Sequence, residues 1–195
     1  MSNTIRIRII PYDPRWPAEF RSIGQALRTV LADLALRIDH IGSTSVPGLA
    51  AKDIIDIQVT VRALDADVIS PRLSILGYTT VDGITRDHIP PGGPASLDEW
   101  RKLYFRPPAG QRPTHLHVRQ EGRANQRYPL LFRDALRVNP ATAAAYGQIK
   151  DALARRDPED IDTYYDVKDP VCDIIIDFAE RWAIETSYRL GSSDI

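Results

Sequence analysis

The sequence predicts an α+β (mixed α/β) fold in which one mixed β-sheet packs against helices and the C-terminal third is helical. Over the first 120 residues, short runs rich in β-branched residues alternate with amphipathic helical patterns. Beyond residue 125, apolar residues recur at spacings of three and four, which is typical of helices that bury one face. A chain of 195 residues is compatible with one domain, so we predict a single domain over 1–195 with a frayed tail at about 188–195.

The first half of the chain is predicted to supply most of the sheet. Isoleucine alternates with arginine at 5–10, the period of a half-buried strand, and a helical pattern follows over about 17–34. A short strand at 37–41 then ends at Gly42. The next strand, 52–61, is nearly continuous in β-branched residues, which predicts a central strand covered on both faces.

The middle of the chain is predicted to complete the sheet. Its elements are a helix over about 65–76 and strands near 77–81, 103–106 and 114–119. Residues 82–99 contain three prolines and three glycines, a composition that predicts an irregular loop. Because such loops carry function, this one is a candidate flap over a substrate.

Helices are predicted to fill the remainder of the chain. One spans about 126–138, and the next begins at Asn139-Pro140, where asparagine can cap the helix and proline suits its first position. Asp169-Pro170 repeats this signal and predicts the start of a further helix. The single cysteine, Cys172, falls in that apolar stretch and is expected to be a small core residue.

Composition narrows the possible function classes. The formal charge of −1 argues against a general nucleic-acid coat protein, which would be distinctly basic. Charge is uneven, however, with a net of +4 over 112–137 and of −6 over 151–177. These runs are either solvated helix faces or, for the basic run, a positive rim for an anionic ligand. Without a signal core or a run of 18 apolar residues, we expect a cytoplasmic protein with no membrane partner.

The most informative segment is 39–59, DHIGSTSVPGLAAKDIIDIQV. Gly42 permits close approach of the backbone to a ligand, while Ser43 and Ser45 offer hydroxyl and N–H donors suited to phosphate. Asp56 lies in a branched apolar run, where a carboxylate costs several kcal/mol unless it is paired or bound to a metal. From the residues alone, the segment is either a phosphate and metal site or a serine-rich turn with Asp56 in a structural salt bridge.

A strand carrying two histidines supplies a second candidate group. His115 and His117 alternate on the predicted strand and therefore share one face. They are candidates for a metal ligand or a phosphate contact, or else form a hydrogen-bonded pair beside a cleft. Their spacing to Glu121 is also that of a cupin metal motif, but the helical C-terminal third disfavours a cupin.

Two of these segments carry a resemblance to a known family. Ile-Gly-Ser at 41–43, followed after twelve residues by Asp-Ile-Gln-Val at 56–59, resembles the signature of the nucleotidyltransferase (polymerase beta-like) superfamily. The run 40–57 resembles the GrpB family nearly residue for residue, and the likeness extends across roughly 8–180. The further matching blocks, in order, are Tyr12-Asp13-Pro14, Leu103-Tyr104-Phe105-Arg106, His115-Leu116-His117-Val118, Phe132-Arg133-Asp134 and Lys168-Asp169-Pro170.

The resemblance implies a nucleotidyltransferase-like sheet that binds a nucleoside triphosphate, or another phosphorylated small molecule, with Mg²⁺ or Mn²⁺. It implies transfer of a nucleoside monophosphate to an unknown acceptor, with Asp56 as the catalytic carboxylate. The implied metal ligands are Asp56, Gln58, His115 and His117. The implied phosphate contacts are Gly42, Ser43, Ser45, Lys52, Arg106 and Lys168.

One position departs from the superfamily pattern. Two-metal enzymes hold their cations between carboxylates at alternate strand positions, which face the same side. Here the second position is Gln58, whose amide oxygen can ligate a hard cation but contributes no negative charge. Two functions therefore remain open: a nucleotidyltransferase, or a non-catalytic module that senses nucleotide or binds a partner. Metal-dependent turnover that requires Asp56 would distinguish the enzyme.

Overall fold

Five strands form one mixed sheet and five α-helices pack around it in the computed structural model, which describes residues 6–195. The strands are β1 Ala35–Ile41, β2 Ile55–Val61, β3 Thr79–Thr80, β4 Lys102–Arg106 and β5 Thr114–Gln120. The helices are α1 Trp16–Leu31, α2 Ala66–Ser74, α3 Ala124–Val138, α4 Pro140–Arg156 and α5 Ile161–Glu185. The predicted α+β class with a helical C-terminal part is confirmed. None of the helices in the described range is both long and apolar enough to cross a bilayer.

The order of the strands determines which side chains meet. The sheet runs β1-β2-β5-β4-β3, so β2 and β5 are neighbouring interior strands. They run parallel to each other, whereas the other neighbouring pairs are antiparallel. Their register places Asp56 opposite His115 and Gln58 opposite His117. Residues far apart in the sequence are thereby brought side by side on one face of the sheet.

The strand β2 is covered on both faces, as predicted. Successive residues of a strand point to opposite faces, yet Ile57, Gln58, Val59 and Thr60 are all fully buried. The face that carries Ile57 packs in the main core with α1. The face that carries Gln58 contacts α3, where its side-chain amide donates to the carbonyl of Gln126. Burial of each large branched side chain contributes about 1.5–3 kcal/mol to stability.

The predicted strand at 5–10 is wrong over the part that the structure describes. Residues 6–9 form no strand, and Ile10 makes only an isolated bridge with Ala51. The alternation has another cause, because Ile7 is buried against α4 and α5 while the arginines on either side of it are exposed. Residue 5 lies outside the described residues.

The two predicted helix starts have different outcomes. At Asn139-Pro140 the prediction is confirmed, since α4 begins there and the asparagine side chain accepts a backbone N–H three residues on. At Asp169-Pro170 it is wrong, because α5 begins at Ile161, with Asp160 as its cap, and continues through the proline. An interior proline removes one helical hydrogen bond, and the packing of α5 against α3 and α4 outweighs that loss.

The predicted loop at 82–99 is irregular, apart from the short 3-10 helix Leu97–Trp100 at its end. It is anchored near its middle, because the Asp87 carboxylate lies 2.6 Å from the ammonium of Lys102 and 2.8 Å from the guanidinium of Arg119. This contact fastens the loop to β4 and β5. Its use as a flap stays a prediction.

The predicted frayed tail at 188–195 is corrected by its contacts with β1. The N–H of Ile195 donates to the carbonyl of Ile38 at 3.2 Å, and the Asp194 carboxylate accepts from the backbone N–H of His40 at 2.9 Å. β1 is an edge strand whose outer backbone groups would otherwise lack partners. The tail is therefore held in place along that edge.

Replacing Asp194 with alanine is expected to lower the free energy of unfolding by about 1–3 kcal/mol, because a buried backbone N–H loses its acceptor. The same carboxylate also lies 2.8 Å from the guanidinium of Arg133. Urea unfolding of the full chain measures the effect. Asp33→Ala, which removes an exposed carboxylate, is the matched control and should change stability by less than about 0.5 kcal/mol. Equal losses in the two variants would contradict a structural role for the tail.

Candidate functional site

A cavity of about 590 Å³ lies between the sheet and helices α3, α4 and α5. It is lined by eight of the ten residues that the sequence predicts for the site, and Ser45 and Gln58 do not line it. The eight are Gly42, Ser43, Lys52, Asp56, Arg106, His115, His117 and Lys168. Six aromatic side chains complete the walls, namely Tyr104, Tyr128, Phe132, Tyr146, Tyr164 and Tyr165.

The turn after β1 brings the backbone of Gly42 against Asp56. The φ angle of Gly42 is +68°, and a Cβ built there would lie 2.9 Å from the Cβ and Cγ of Asp56. Only glycine satisfies both conditions without strain. The single 3-10 turn that follows places Ser43 in the cavity wall. Ser45 is instead buried and its hydroxyl donates to the carbonyl of Gly42, so it does not join the predicted phosphate contacts.

Asp56, His115 and His117 converge on the cavity from β2 and β5. Each offers one ligand atom, and these atoms all lie within 4.8 Å of one another. Nδ1 of His115 lies 2.9 Å from Oδ1 of Asp56, and Nη2 of Arg119 lies 3.3 Å from Nδ1 of His117. Burial of the His117 ring, together with the positive charges of Arg119 and Lys102, lowers the pKa of His117 well below its ordinary value. Two imidazoles beside a carboxylate form a donor set that fits a divalent transition-metal ion.

Gln58 does not belong to this group, which corrects its prediction as a metal ligand. Its Nε2 donates to the carbonyl of Gln126 at 2.8 Å, and its Oε1 accepts from Nη1 of Arg119 at 2.7 Å. The side chain is fully buried. A cation at Oε1 would meet the guanidinium of Arg119, and the repulsion between the two charges disfavours metal binding there.

The predicted phosphate contacts Lys52 and Lys168 reach the cavity beside a tyrosine of α5. The Nζ of Lys52 lies 3.3 Å from the hydroxyl of Tyr165, and the Nζ of Lys168 lies 5.4 Å from the centre of the same ring. Lys168 also forms an ion pair with Asp169 at 2.9 Å. The guanidinium of Arg106 lies over the ring of Tyr104, which is on the same strand, β4. Aromatic faces hold cations without neutralising their charge, so Lys52 and Arg106 keep this wall attractive to an anion, whereas Asp169 offsets part of the charge of Lys168.

Lys150 on α4 is a cavity residue that the sequence analysis missed. Its side chain is 2% exposed, and its Nζ donates to Oγ of Ser43 and to the carbonyl of Ala50, both at 2.7 Å. Burial, reinforced by the positive charge of Lys168, lowers the pKa of Lys150 to about 7. A sequence signal existed, because this lysine interrupts an apolar helical stripe formed by Ala143, Tyr146, Gly147 and Ala154.

The basic run at 112–137 does not form the positive rim that was one of its two interpretations. All six of its arginines are paired with carboxylates. The pairs are Arg112 with Glu19 and Asp53, Arg119 with Asp87, Arg123 with Glu99, Arg127 with Glu180, Arg133 with Asp194 and Arg137 with Asp134. The positive charge of the cavity comes mainly from lysines instead.

Comparison with known proteins assigns the chain to a family. The GrpB protein family matches residues 6–177. The chain belongs to this family. A crystal structure described as conserved protein GrpB from Enterococcus faecalis is 32% identical in sequence to this GrpB-family chain and matches it with a TM-score of 0.74. The match covers 90% of this chain and 99% of that one.

Curated relatives of this GrpB-family chain are longer than the chain itself. A protein named dephospho-CoA kinase from Mycolicibacterium paratuberculosis is 36% identical over 197 residues, which cover 94% of this chain and 48% of the relative. UPF0157 protein PA4798 from Pseudomonas aeruginosa is 40% identical over 171 residues, which cover 85% of this chain and 64% of the relative. The chain therefore spans about half the length of the first and less than two thirds of the second.

Proposed function

We propose that this chain binds a nucleoside triphosphate together with a divalent cation in the cavity. The observation that carries the proposal is the meeting of a glycine-serine turn, a carboxylate and several lysines in one cavity. Gly42 and Ser43 offer backbone and hydroxyl donors to phosphate oxygens, and Asp56 beside them offers a ligand to the cation that accompanies phosphate. Among the described residues that line the cavity, five are lysine or arginine and one is a carboxylate, a balance that suits a polyanion.

The cation would be held by Asp56, His115 and His117. Mg²⁺ prefers oxygen ligands in strict octahedral geometry, whereas imidazole nitrogen suits transition-metal ions. Of the two cations that the family resemblance implies, we therefore expect Mn²⁺ to bind more tightly than Mg²⁺. A bound cation would polarise the phosphoryl oxygens and offset negative charge.

As an enzyme, the chain would transfer a nucleoside monophosphate to an acceptor hydroxyl. The acceptor hydroxyl would release its proton to water, and its oxygen would bond to the α-phosphorus as the bond between that phosphorus and the pyrophosphate oxygen breaks, so that pyrophosphate leaves. Protein groups contribute to such reactions mainly by positioning and electrostatics. Lys52, Arg106 and Lys168 would offset the charge that develops on the leaving pyrophosphate.

Nucleotide sensing or partner binding without catalysis is a second candidate function, and the position of Gln58 favours it. A two-metal mechanism needs a second carboxylate near Asp56, and the amide that stands there is buried and hydrogen-bonded to Arg119 and Gln126. A sensor would bind nucleotide with little dependence on metal and would release no pyrophosphate.

Kinase activity is not proposed for this chain. The relatives named dephospho-CoA kinase are about twice as long as the matched region. In addition, the sequence contains no G-x-x-x-x-G-K-S/T loop of the kind that holds nucleotide phosphates in P-loop enzymes. The name dephospho-CoA kinase therefore describes those relatives and is not carried over to this chain.

Replacing Asp56 with alanine is expected to abolish the metal-dependent part of nucleotide binding, because the cation loses its carboxylate. At about a hundred times its Kd, a nucleotide should stabilise the wild type by about 2.7 kcal/mol, a rise in Tm of about 5–10 °C for a chain of this size. The measurement is the melting temperature with a panel of nucleoside triphosphates, with Mg²⁺, with Mn²⁺ and with neither. Release of pyrophosphate is assayed in the same samples.

Asp166→Ala is the matched control, because it removes one exposed carboxylate that does not line the cavity. It should keep the full shift. A shift that needs no metal and survives Asp56→Ala would support the sensor over the enzyme. No shift with any nucleotide, in any metal, would refute nucleotide binding.

A further inference from the structure

Lys150 is a buried ammonium group in the wall of the cavity. Both hydrogen bonds of its Nζ go to neutral oxygens, those of Ser43 and Ala50. Among residues 6–195, no carboxylate forms an ion pair with it, although the other buried cations of that range, Lys102, Arg119 and Arg133, each have one. The ring of Tyr146 lies 4.5 Å from its Nζ.

The charged and titratable groups around Lys150 do not supply the missing counter-charge. Those that face it from neighbouring elements are Lys52 before β2, Asp56 on β2, and Lys168 and Cys172 on α5. Two of these are ammonium groups that repel it. Asp56, the one carboxylate among them, is paired with His115.

A buried and uncompensated charge costs several kcal/mol, and the cost grows when like charges lie nearby. Three ammonium groups that converge on one cavity from different elements would repel one another in the absence of a ligand. An anion with several negative charges, such as a polyphosphate, removes that repulsion when it binds between them. The arrangement is thus suited to a bound polyanion.

We propose that Lys150 is an anion-binding residue of the cavity, which contacts a polyphosphate and takes up a proton when the anion binds. This inference deepens the proposed function but needs only the phosphate chain, so it can hold without a nucleoside. Ser43 is the neighbour that would orient the ammonium toward the anion, since its hydroxyl accepts from the same Nζ.

The direction of the proton exchange follows from the surroundings of Lys150. Burial and the nearby Lys168 lower its pKa to about 7, so a larger fraction of the amine is neutral at pH 8.0 than at pH 6.5 in the free protein. A bound anion favours the charged form and moves the pKa back toward its ordinary value. Proton uptake on binding should therefore increase between pH 6.5 and pH 8.0.

The test is isothermal titration calorimetry of the full chain with inorganic triphosphate, without divalent cations, in buffers of different ionisation enthalpy. Wild type is expected to take up more protons per bound anion at pH 8.0 than at pH 6.5. Lys150→Met should bind at least about tenfold more weakly at pH 6.5, because a charge-assisted hydrogen bond is lost. Lys150→Arg, which stays charged, should retain binding better than Lys150→Met and lose this proton uptake.

Two features of the design keep the outcome clear. Protons exchanged by the triphosphate and by other groups of the cavity are common to all variants, so the difference between wild type and Lys150→Met isolates the lysine. Arg155→Met on an exposed part of α4 is the matched control and should behave as wild type. Circular dichroism and thermal unfolding establish that each variant is folded.

Equal affinity and equal proton uptake in wild type and Lys150→Met would overturn the inference, as would a wild type that does not bind triphosphate. Triphosphate binding that depends on Lys150, in a chain that no nucleotide stabilises, would support the inference and refute the proposed function. Nucleotide binding with the same proton uptake in wild type and Lys150→Met would support the proposed function and overturn the inference.

Discussion

Replacing Asp87 with alanine is expected to lower the free energy of unfolding by about 3–5 kcal/mol, the cost of breaking a buried ion pair. Its carboxylate accepts from Lys102 at 2.6 Å, from Arg119 at 2.8 and 2.9 Å, and from Asn125 at 3.0 Å. The side chains of Arg119 and Lys102 are only 5% and 8% exposed. Without Asp87, both cations would remain buried without a counter-charge.

The stability that Asp87 contributes should depend on pH. Burial alone would raise the pKa of this carboxyl, but Arg119 and Lys102 outweigh burial and hold the pKa well below its ordinary value of 3.8. A carboxyl whose pKa is depressed in the folded state stabilises the fold above its unfolded pKa, and this contribution is lost as the pH falls below that value. The difference between wild type and Asp87→Ala should therefore be full at pH 6–8 and shrink below about pH 4.

Urea unfolding at several pH values measures both effects. The matched control is Asp82→Ala, which removes an exposed carboxylate from the same loop and should change stability by less than about 0.5 kcal/mol. If Asp87→Ala were no less stable than this control, the loop 82–99 would not be anchored through Asp87.

Replacing Gly42 with alanine is expected to lower the free energy of unfolding by about 2–6 kcal/mol and to abolish metal-dependent nucleotide stabilisation. With φ +68° and ψ −174°, the backbone of residue 42 lies in a region that only glycine adopts readily, and an alanine there costs about 1–3 kcal/mol. Its Cβ would also overlap the side chain of Asp56, and such overpacking costs about 1–3 kcal/mol. Displacement of Asp56 would remove the carboxylate that the proposed cation needs.

Gly48→Ala separates the two contributions. Gly48 has a similar φ of +79°, but nothing lies within 4 Å of the position that a Cβ would occupy. This control should lose only the backbone term of about 1–2 kcal/mol and keep the metal-dependent shift in Tm. Equal behaviour of the two variants would mean that contact between residue 42 and Asp56 does not constrain the site.

Much of the candidate site was recognisable in the sequence because its residues are unusual where they stand. Asp56 is a carboxylate within a strand of branched apolar residues, and a Gly-Ser pair ends the strand before it. His115 and His117 were recognisable as a pair because they stand at alternate positions of one strand and so share one face. The partner of a residue was less predictable, since Gln58 shares the alternation of Asp56 but is buried against Arg119, 61 residues away in the sequence.

Charge patterns were the least reliable guide. The basic run 112–137 has the composition of an anion-binding surface, yet its arginines pair with carboxylates. Lys150, a buried cation with no carboxylate partner among residues 6–195, lies outside that run, on α4. Net charge along a sequence omits the pairing of charges in space, and the pairing determines which cation is left for a ligand.

The sequence by itself determined the elements whose signals are local: the buried strand β2, the helix α1, the cap of α4 at Asn139 and the turn at Gly42. These depend on side-chain periodicity and on contacts within about four residues. The tertiary structure decided the start of α5, the path of the tail along β1, the anchoring of the loop at Asp87 and the position of Lys150. Each of these depends on contacts between residues far apart in the chain, which the parallel pairing of β2 with β5 and the packing of α3, α4 and α5 bring together.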